Sequence, residues 1–129
     1  MEWFLRGDHR ILATLREQLA VASIANRKFT GVGFFTGFHV PNTAPRLSNL
    51  QRLVIGDVHS EIVGLEHGAG FLLFVDEGLL HFLEGFTYDA PWPGDLKLIR
   101  LYYLRPQEPG SGTMIETAQR DLSFLAAHE

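Results

Sequence analysis

The sequence predicts a single α+β domain over residues 1–129: an antiparallel sheet of five to seven strands with an N-terminal and a C-terminal helix. Three observations support this. A chain of 129 residues has room for one core but not for two ordinary ones. Its 46% hydrophobic and 20% charged residues are typical of a globular protein. Short apolar runs separated by glycine and proline turns fill the middle of the chain, as in antiparallel sheets.

The first element is an amphipathic helix of about three turns. Asp8 is placed to cap its start. Apolar residues recur at helical spacing at Ile11, Leu12, Leu15 and Leu19. After residues 21–30, where the helical period is lost, the glycines at 31 and 33 indicate a bend or bulge, and residues 34–40 form a strand.

The middle of the chain predicts strands joined by turns. Residues 41–49 form a surface loop by their proline and asparagine content, and residues 50–58 form the next strand. Residues 71–75 and 79–84 form the clearest hairpin, with Asp76-Glu77-Gly78 between them. Because 71–75 shows no polar alternation, both of its faces should be covered, one by the N-terminal helix and the other by a C-terminal helix or a second subunit.

The last third predicts one more strand and the second helix. Residues 96–104 form the strand and residues 106–112 a linker. Thr113 and Glu116 fit a capping box at the start of a helix. Its apolar face consists of Met114, Ala118, Leu122 and Leu125.

The composition narrows the classes of partner and compartment. With no cysteine, the chain has no disulfide, thiolate metal site or cysteine nucleophile, and it lacks a signal peptide or an apolar run of membrane-spanning length. We therefore expect a soluble cytoplasmic protein. Residues 1–56 hold seven Lys and Arg against three Asp and Glu, whereas residues 57–129 hold four against twelve. The acidic half favours a basic protein partner, unless the halves interleave in the fold, and nucleic acid and membrane partners are not expected.

The first candidate site is Asp57-Val58-His59-Ser60-Glu61. Alternation along a strand places the side chains of Asp57, His59 and Glu61 on one face, where they would suit a metal ion, an acid and base pair, or a partner contact. Val54, Val58 and Ile62 lie on the other face, which looks buried. The simplest interpretation is therefore that the three polar residues form a solvated face.

The second candidate is Glu84 with the loop that follows it. Glu84 ends an apolar strand, so burial would raise its pKa as for a general acid, or its carboxylate would accept backbone hydrogen bonds and anchor the loop. The loop suits rigid contact with a small molecule or a protein, or serves as a lid over the core. Its candidate contact residues are Phe86, Tyr88, Asp89 and Trp92.

The sequence predicts neither a metal nor a cofactor. The histidines lack the spacing of a metal motif, and the glycine-rich segments 31–33 and 68–70 lack the setting of a phosphate-binding loop. No serine lies in the Gly-x-Ser-x-Gly elbow of serine hydrolases. Glu84, Asp57 and His59 are thus the only catalytic candidates.

Three segments carry a resemblance to other proteins: 29–36 (FTGVGFFT), 67–71 (HGAGF) and 83–93 (LEGFTYDAPWP). Over about residues 28–93 the chain resembles a group of short bacterial proteins with no assigned activity. Small acidic proteins of this kind include immunity proteins. Two hypotheses follow. The first is a non-enzymatic interaction protein, with a homodimer and a protein partner as candidate assemblies. The alternative is a small enzyme or ligand-binding domain with a pocket near Glu84 and the aromatic loop.

Overall fold

A computed structural model of the chain describes residues 1–48, 52–88, 90–108 and 110–128. Its strands form one eight-stranded antiparallel sheet with short helices, which confirms the predicted α+β class with one strand more than expected. The helices are α1 (Glu2–Leu5), α2 (Arg10–Val21) and a C-terminal 3-10 helix (Ser123–His128). The strands are β1 (Ser23–Phe29), β2 (Gly33–His39), β3 (Leu53–Ile55), β4 (Val58–Ile62), β5 (Ala69–Asp76), β6 (Leu79–Thr87), β7 (Leu98–Pro106) and β8 (Met114–Thr117).

Across the sheet the strands follow the order β1-β2-β6-β5-β4-β7-β8, and β3 pairs with β5 further along the same edge that β4 occupies. The β5–β6 hairpin forms as predicted. The two turn residues, Glu77 and Gly78, have φ values of 52° and 76°. A type I′ turn requires such positive φ values at both of its central residues. The first strand, β1, lies in the segment 21–30 to which the sequence assigned no element.

All three helices pack on one face of the sheet, which we call the inner face. The core there joins side chains from α1, α2 and the 3-10 helix to those of the central strands, for example Leu12 and Leu125 to Leu73. Buried Gln18 fixes α2 to the sheet, since its Oε1 accepts the Leu80 N–H at 2.8 Å. Its Nε2 donates to the carbonyls of Pro45 and Gly78 at 2.9 and 2.8 Å. This amide is therefore fully hydrogen-bonded.

Two local predictions in the first half are wrong. Helix α2 is capped by His9, whose Nδ1 accepts the Ile11 N–H at 3.1 Å, rather than by Asp8. The strand predicted over 50–58 is two strands, β3 and β4, separated by Gly56 and Asp57. Positions 50 and 51 lie outside the described residues. The interruption changes which residues share a face, so Val54 is 44% exposed while Val58 and Ile62 are buried.

The predicted C-terminal α-helix is also wrong. Residues 114–117 form β8, which pairs with β7 from Tyr103↔Thr117 to Pro106↔Met114. The chain then turns so that Arg120 reaches Asp57, and only residues 123–128 are helical, as a 3-10 turn. Thr113 and Glu116 fit a capping box, but this segment pairs with the edge of β7 instead of starting a helix. Tertiary contacts override the weak local helix propensity here. Within the described residues, no helix has the length and apolar character to cross a bilayer.

Candidate functional site

The candidate site is the face of the sheet opposite the helices, which we call the outer face. Register places Leu73 opposite Leu83 on the inner face, so the residues that alternate with them point outward. The outward apolar side chains on β2, β5 and β6 do not belong to the core, and all of them are half-buried. They are Phe35, Leu72, Phe74, Phe82 and Phe86. An antiparallel sheet normally presents polar side chains on the face away from its helices, so this composition is unusual.

One end of the outer face carries an aromatic and histidine cluster. His59 on β4 stands beside Tyr102 on β7, and Tyr88 after β6 stacks on the His59 ring at 5.6 Å. A glycine between them provides the space: a Cβ at Gly70 would lie 2.6 Å from Phe86 Cζ and 2.9 Å from the Tyr88 hydroxyl. Phe86 and Tyr88 therefore lie over the bare backbone of β5.

Each ring nitrogen of His59 faces a phenol. Nδ1 is 2.7 Å from the Tyr102 hydroxyl and Nε2 is 3.3 Å from the Tyr88 hydroxyl. Burial lowers the pKa of His59 and raises the pKa of both tyrosines, so all three groups are neutral near pH 7. A neutral imidazole has one N–H and one lone pair, hence one tyrosine donates to His59 and the other accepts from it. The three side chains therefore form one continuous hydrogen-bonded chain, from Tyr102 through His59 to Tyr88.

An ion-pair group borders this cluster. Arg100 donates to Glu61 at 2.7 Å and, with two nitrogens, to both carboxylate oxygens of Glu116 at 2.7 and 2.6 Å. Its guanidinium also lies over the Tyr102 ring, 4.5 Å from the centroid. The hydrogen bonds to Glu116 and Glu61 raise the pKa of Arg100, and the same contact lowers the pKa of Glu116. Both acids thereby share one cation within the molecule, and the group as a whole carries one negative charge.

The other end of the outer face is apolar apart from exposed His81, whose ring meets Phe82 edge-on at 5.0 Å. Phe82 stacks on Phe74 with centroids 4.2 Å apart and meets Phe35 edge-on at 5.6 Å. Val54, 44% exposed, continues this group on β3, where it pairs with Phe74. These side chains form an apolar patch that spans four strands.

Glu84 lies between the two aromatic groups. It pairs with Phe35 on β2 and Leu72 on β5, and Phe82 and Phe86 are its same-face neighbours along β6. Its side chain is half-buried, and no described residue gives it a hydrogen bond or an ion pair. A carboxylate surrounded by apolar side chains and lacking a cation loses hydration without compensation, so it favours a positively charged partner.

The structure separates the residues that the catalytic hypothesis needs together. Asp57 does not share a face with His59: its carboxylate binds buried Arg120 at 2.8 and 2.9 Å. His59 is itself 9% exposed, so the prediction of a solvated Asp57, His59 and Glu61 face is wrong for both of these residues. Glu84 shares the outer face with His59 but lies about 12 Å away, from two strand spacings of about 4.8 Å and two residue rises of about 3.3 Å.

The predicted loop residues also divide between the two faces. Tyr88 and Phe86 lie on the outer face, whereas Trp92 packs edge-on against Phe34, which faces inward opposite Gly85. Asp89 lies outside the described residues. Thr87 anchors the loop by hydrogen bonds to the carbonyls of Val32 and Ala90, so the anchoring role predicted for Glu84 is wrong. Glu61 lies at the rim of the outer face beside Arg100.

Sequence reasoning missed three side chains that shape these surfaces: Tyr102, Arg100 and Arg120. The first two alternate along β7, Arg100-Leu101-Tyr102, and this period-2 pattern marks them as residues of one face. No sequence signal pairs Arg120 with Asp57. Among the described residues, no group of three or more His, Asp and Glu is arranged to hold a metal ion.

Comparison of the chain with protein-family models, curated proteins and solved structures gave no match. The resemblance to short bacterial proteins stays a prediction.

Proposed function

We propose that this protein is a non-enzymatic binding domain that docks a partner protein on the outer face of its sheet. The observation that carries the proposal is Glu84: a half-buried carboxylate to which no described residue supplies a cation. It lies in the middle of five half-buried apolar side chains, on a face that none of the described helices covers. Interfaces combine such an apolar centre with a few desolvated charges that fix the register.

The chemistry of the site specifies the partner. A partner that covers the patch strips the remaining water from Glu84, which is favourable only if the partner supplies a lysine or arginine there. Phe82 and Phe86 flank that position, and a cation that lies over the face of either ring gains a cation–π contact. The partner is therefore a protein whose apolar surface carries a basic side chain at its centre.

The same geometry supports binding over catalysis. The groups proposed for acid and base chemistry do not converge among the described residues, and both nitrogens of His59 are engaged by tyrosines. A cytoplasmic location is part of the proposal, supported by the absence of cysteine. The homodimer stays a prediction that sizing of the purified protein tests.

The experiment is affinity capture from native lysate with wild type, Glu84→Lys and the matched control Glu66→Lys, followed by mass spectrometry and sizing. Glu66 is exposed and lies in the turn between β4 and β5, outside the strands that form the apolar patch. Wild type and the control should retain one stoichiometric partner. Glu84→Lys should lower its affinity by about 30-fold or more, which corresponds to about 2 kcal/mol.

Two outcomes contradict the proposal. If Glu84→Lys retains the partner as tightly as the control, the outer face is not the interface. If wild type returns only with a bound small molecule, the alternative ligand-binding hypothesis replaces it. Circular dichroism of each variant checks that loss of binding is not loss of folding.

A further inference from the structure

Strand β1 is an open edge of the sheet. It pairs with β2 on one side, and all seven of its residues are exposed. The Thr30 N–H donates to the Gly33 carbonyl at 3.0 Å, so by alternation the backbone groups of Phe29 and Arg27 face away from β2. An edge of this length offers hydrogen-bond donors and acceptors to an additional strand.

The charged residues of the β1–β2 hairpin have one sign. From Gln18 to Gly56 the chain contains no Asp or Glu, and β1 itself carries Arg27 and Lys28. Neither cation makes an ion pair with a described residue, whereas Arg6, Arg100 and Arg120 each bind a carboxylate. A second copy would bring its own Arg27 and Lys28 close to these cations, so β1 disfavours self-pairing and favours an acidic strand.

A groove runs along each side of β1. The outer groove, about 620 Å³, is lined by Asn26 and Lys28 of β1 and by Phe35 and Phe82. Asn26 packs over Gly37, where a Cβ would lie 2.4 Å from the Asn26 Oδ1. The inner groove, about 370 Å³, is lined by Phe29, which is 75% exposed, and by Phe34 and Phe38. Side chains of an added strand alternate between the two faces and would therefore enter the two grooves in turn.

We propose that β1 binds an extended acidic segment of a partner polypeptide by strand addition. The segment pairs its backbone with Arg27 and Phe29. Its carboxylates enter the outer groove, which both Lys28 and the long side chain of Arg27 line. Its apolar side chains cover Phe29 in the inner groove. This surface lies at the edge of the sheet and is distinct from the Glu84 site, because the two attract groups of opposite charge, although Phe35 and Phe82 border both.

The test is an NMR titration of the ¹⁵N-labelled full chain with a capped nine-residue peptide of alternating Glu and Val. The largest amide shifts should fall on Arg27 and Phe29, whose N–H groups face outward, and these amides should gain protection from hydrogen exchange. The same peptide with alternate backbone nitrogens methylated, and a Lys and Val version, should bind at least tenfold more weakly. Equal binding by the methylated peptide overturns strand addition.

Charge-reversal variants complete the test. Arg27→Glu/Lys28→Glu should lower the affinity for the acidic peptide at least tenfold, while Lys97→Glu, a matched reversal near the other end of the sheet, should stay within twofold. Unchanged binding by the double variant overturns the proposal. So does a ten-nucleotide oligothymidine that binds β1 more tightly than the peptide, since that assigns the surface to nucleic acid. Glu84→Lys adds a cation two strands from Lys28 on the same face, so it should not weaken peptide binding, whereas it should weaken binding of the partner proposed for the outer face. This difference separates the two proposals.

Discussion

Replacing Asp57 by alanine should be among the most destabilising single changes in this chain. Asp57 accepts two hydrogen bonds from Arg120, at 2.8 and 2.9 Å, and the two side chains are only 9% and 6% exposed. Nη1 of Arg120 also donates to the carbonyls of Phe4 and Arg6, at 2.9 and 2.7 Å, so the pair joins β4, the N-terminal segment and the C-terminal segment. Asp57→Ala leaves the guanidinium buried with only these two acceptors.

The expected loss is about 3–5 kcal/mol, the usual effect of removing one partner from a buried ion pair. For a chain of this size that corresponds to a fall in Tm of about 10–20 °C. Urea denaturation followed by circular dichroism measures it, with Glu61→Ala as a control. Glu61 pairs with Arg100 too, but both side chains are half-exposed, at 46% and 42%, so this control should lose much less stability.

A double-mutant cycle with Arg120→Ala separates the pair from other effects of each substitution. We expect a coupling energy above about 1.5 kcal/mol. If Asp57→Ala costs no more than Glu61→Ala, or if the coupling is near zero, the pair does not hold the termini to the sheet. If Asp57→Ala is too unstable to purify, Asp57→Leu/Arg120→Met provides the comparison. An apolar pair of similar volume should recover most of the lost stability.

Two further predictions concern buried polar groups. Gln18→Met, measured by thermal unfolding, should cost about 2–4 kcal/mol because it leaves the Leu80 N–H and the Pro45 carbonyl without partners, whereas the Gly78 carbonyl keeps the Leu47 N–H. A cost below that of an exposed substitution such as Glu17→Ala would contradict the bonding described. Burial lowers the pKa of His59, so between its usual value near 6.5 and its lower folded value the unfolded chain binds more protons. The free energy of unfolding should therefore fall as the pH drops below about 6.5. His59→Phe should flatten this pH dependence, whereas an unchanged profile in the variant would mean that other groups cause the loss of stability.

The elements that sequence reasoning predicted are those whose determinants are local. The β5–β6 hairpin needs only two apolar runs and the Glu77–Gly78 turn, and all of these are adjacent in the chain. Helix α2 is predicted for the same reason, since its apolar period is complete within twelve residues.

Strand β8 and the site depend on contacts between distant segments. Residues 114–117 carry a pattern that fits a helix start equally well, and pairing with β7 decides between the two. Likewise, His59 was recognisable as a candidate, but Tyr102 joins it only through the register of β4 with β7, forty-three positions away. The interruption at Gly56 and Asp57 then turned Asp57 away from His59, and nothing in an alternating pattern signals that change.

The order of strands gives a physical meaning to the uneven distribution of charge. Sequence halves are not surfaces, and the two halves of this chain need not have separated in space. In the sheet, however, one edge is formed by the hairpin β1–β2, which contains no acidic residue. The middle and the other edge consist of strands from the acidic half, namely β4, β5, β6, β7 and β8. Two cations without an ion pair among the described residues, Arg27 and Lys28, therefore lie at the β1 edge, and Glu84, which no described residue pairs with, lies on β6 next to that hairpin. A single partner that carries an acidic strand beside a basic, apolar surface would engage both, and the loss of binding caused by Glu84→Lys and by Arg27→Glu/Lys28→Glu would then be additive in free energy.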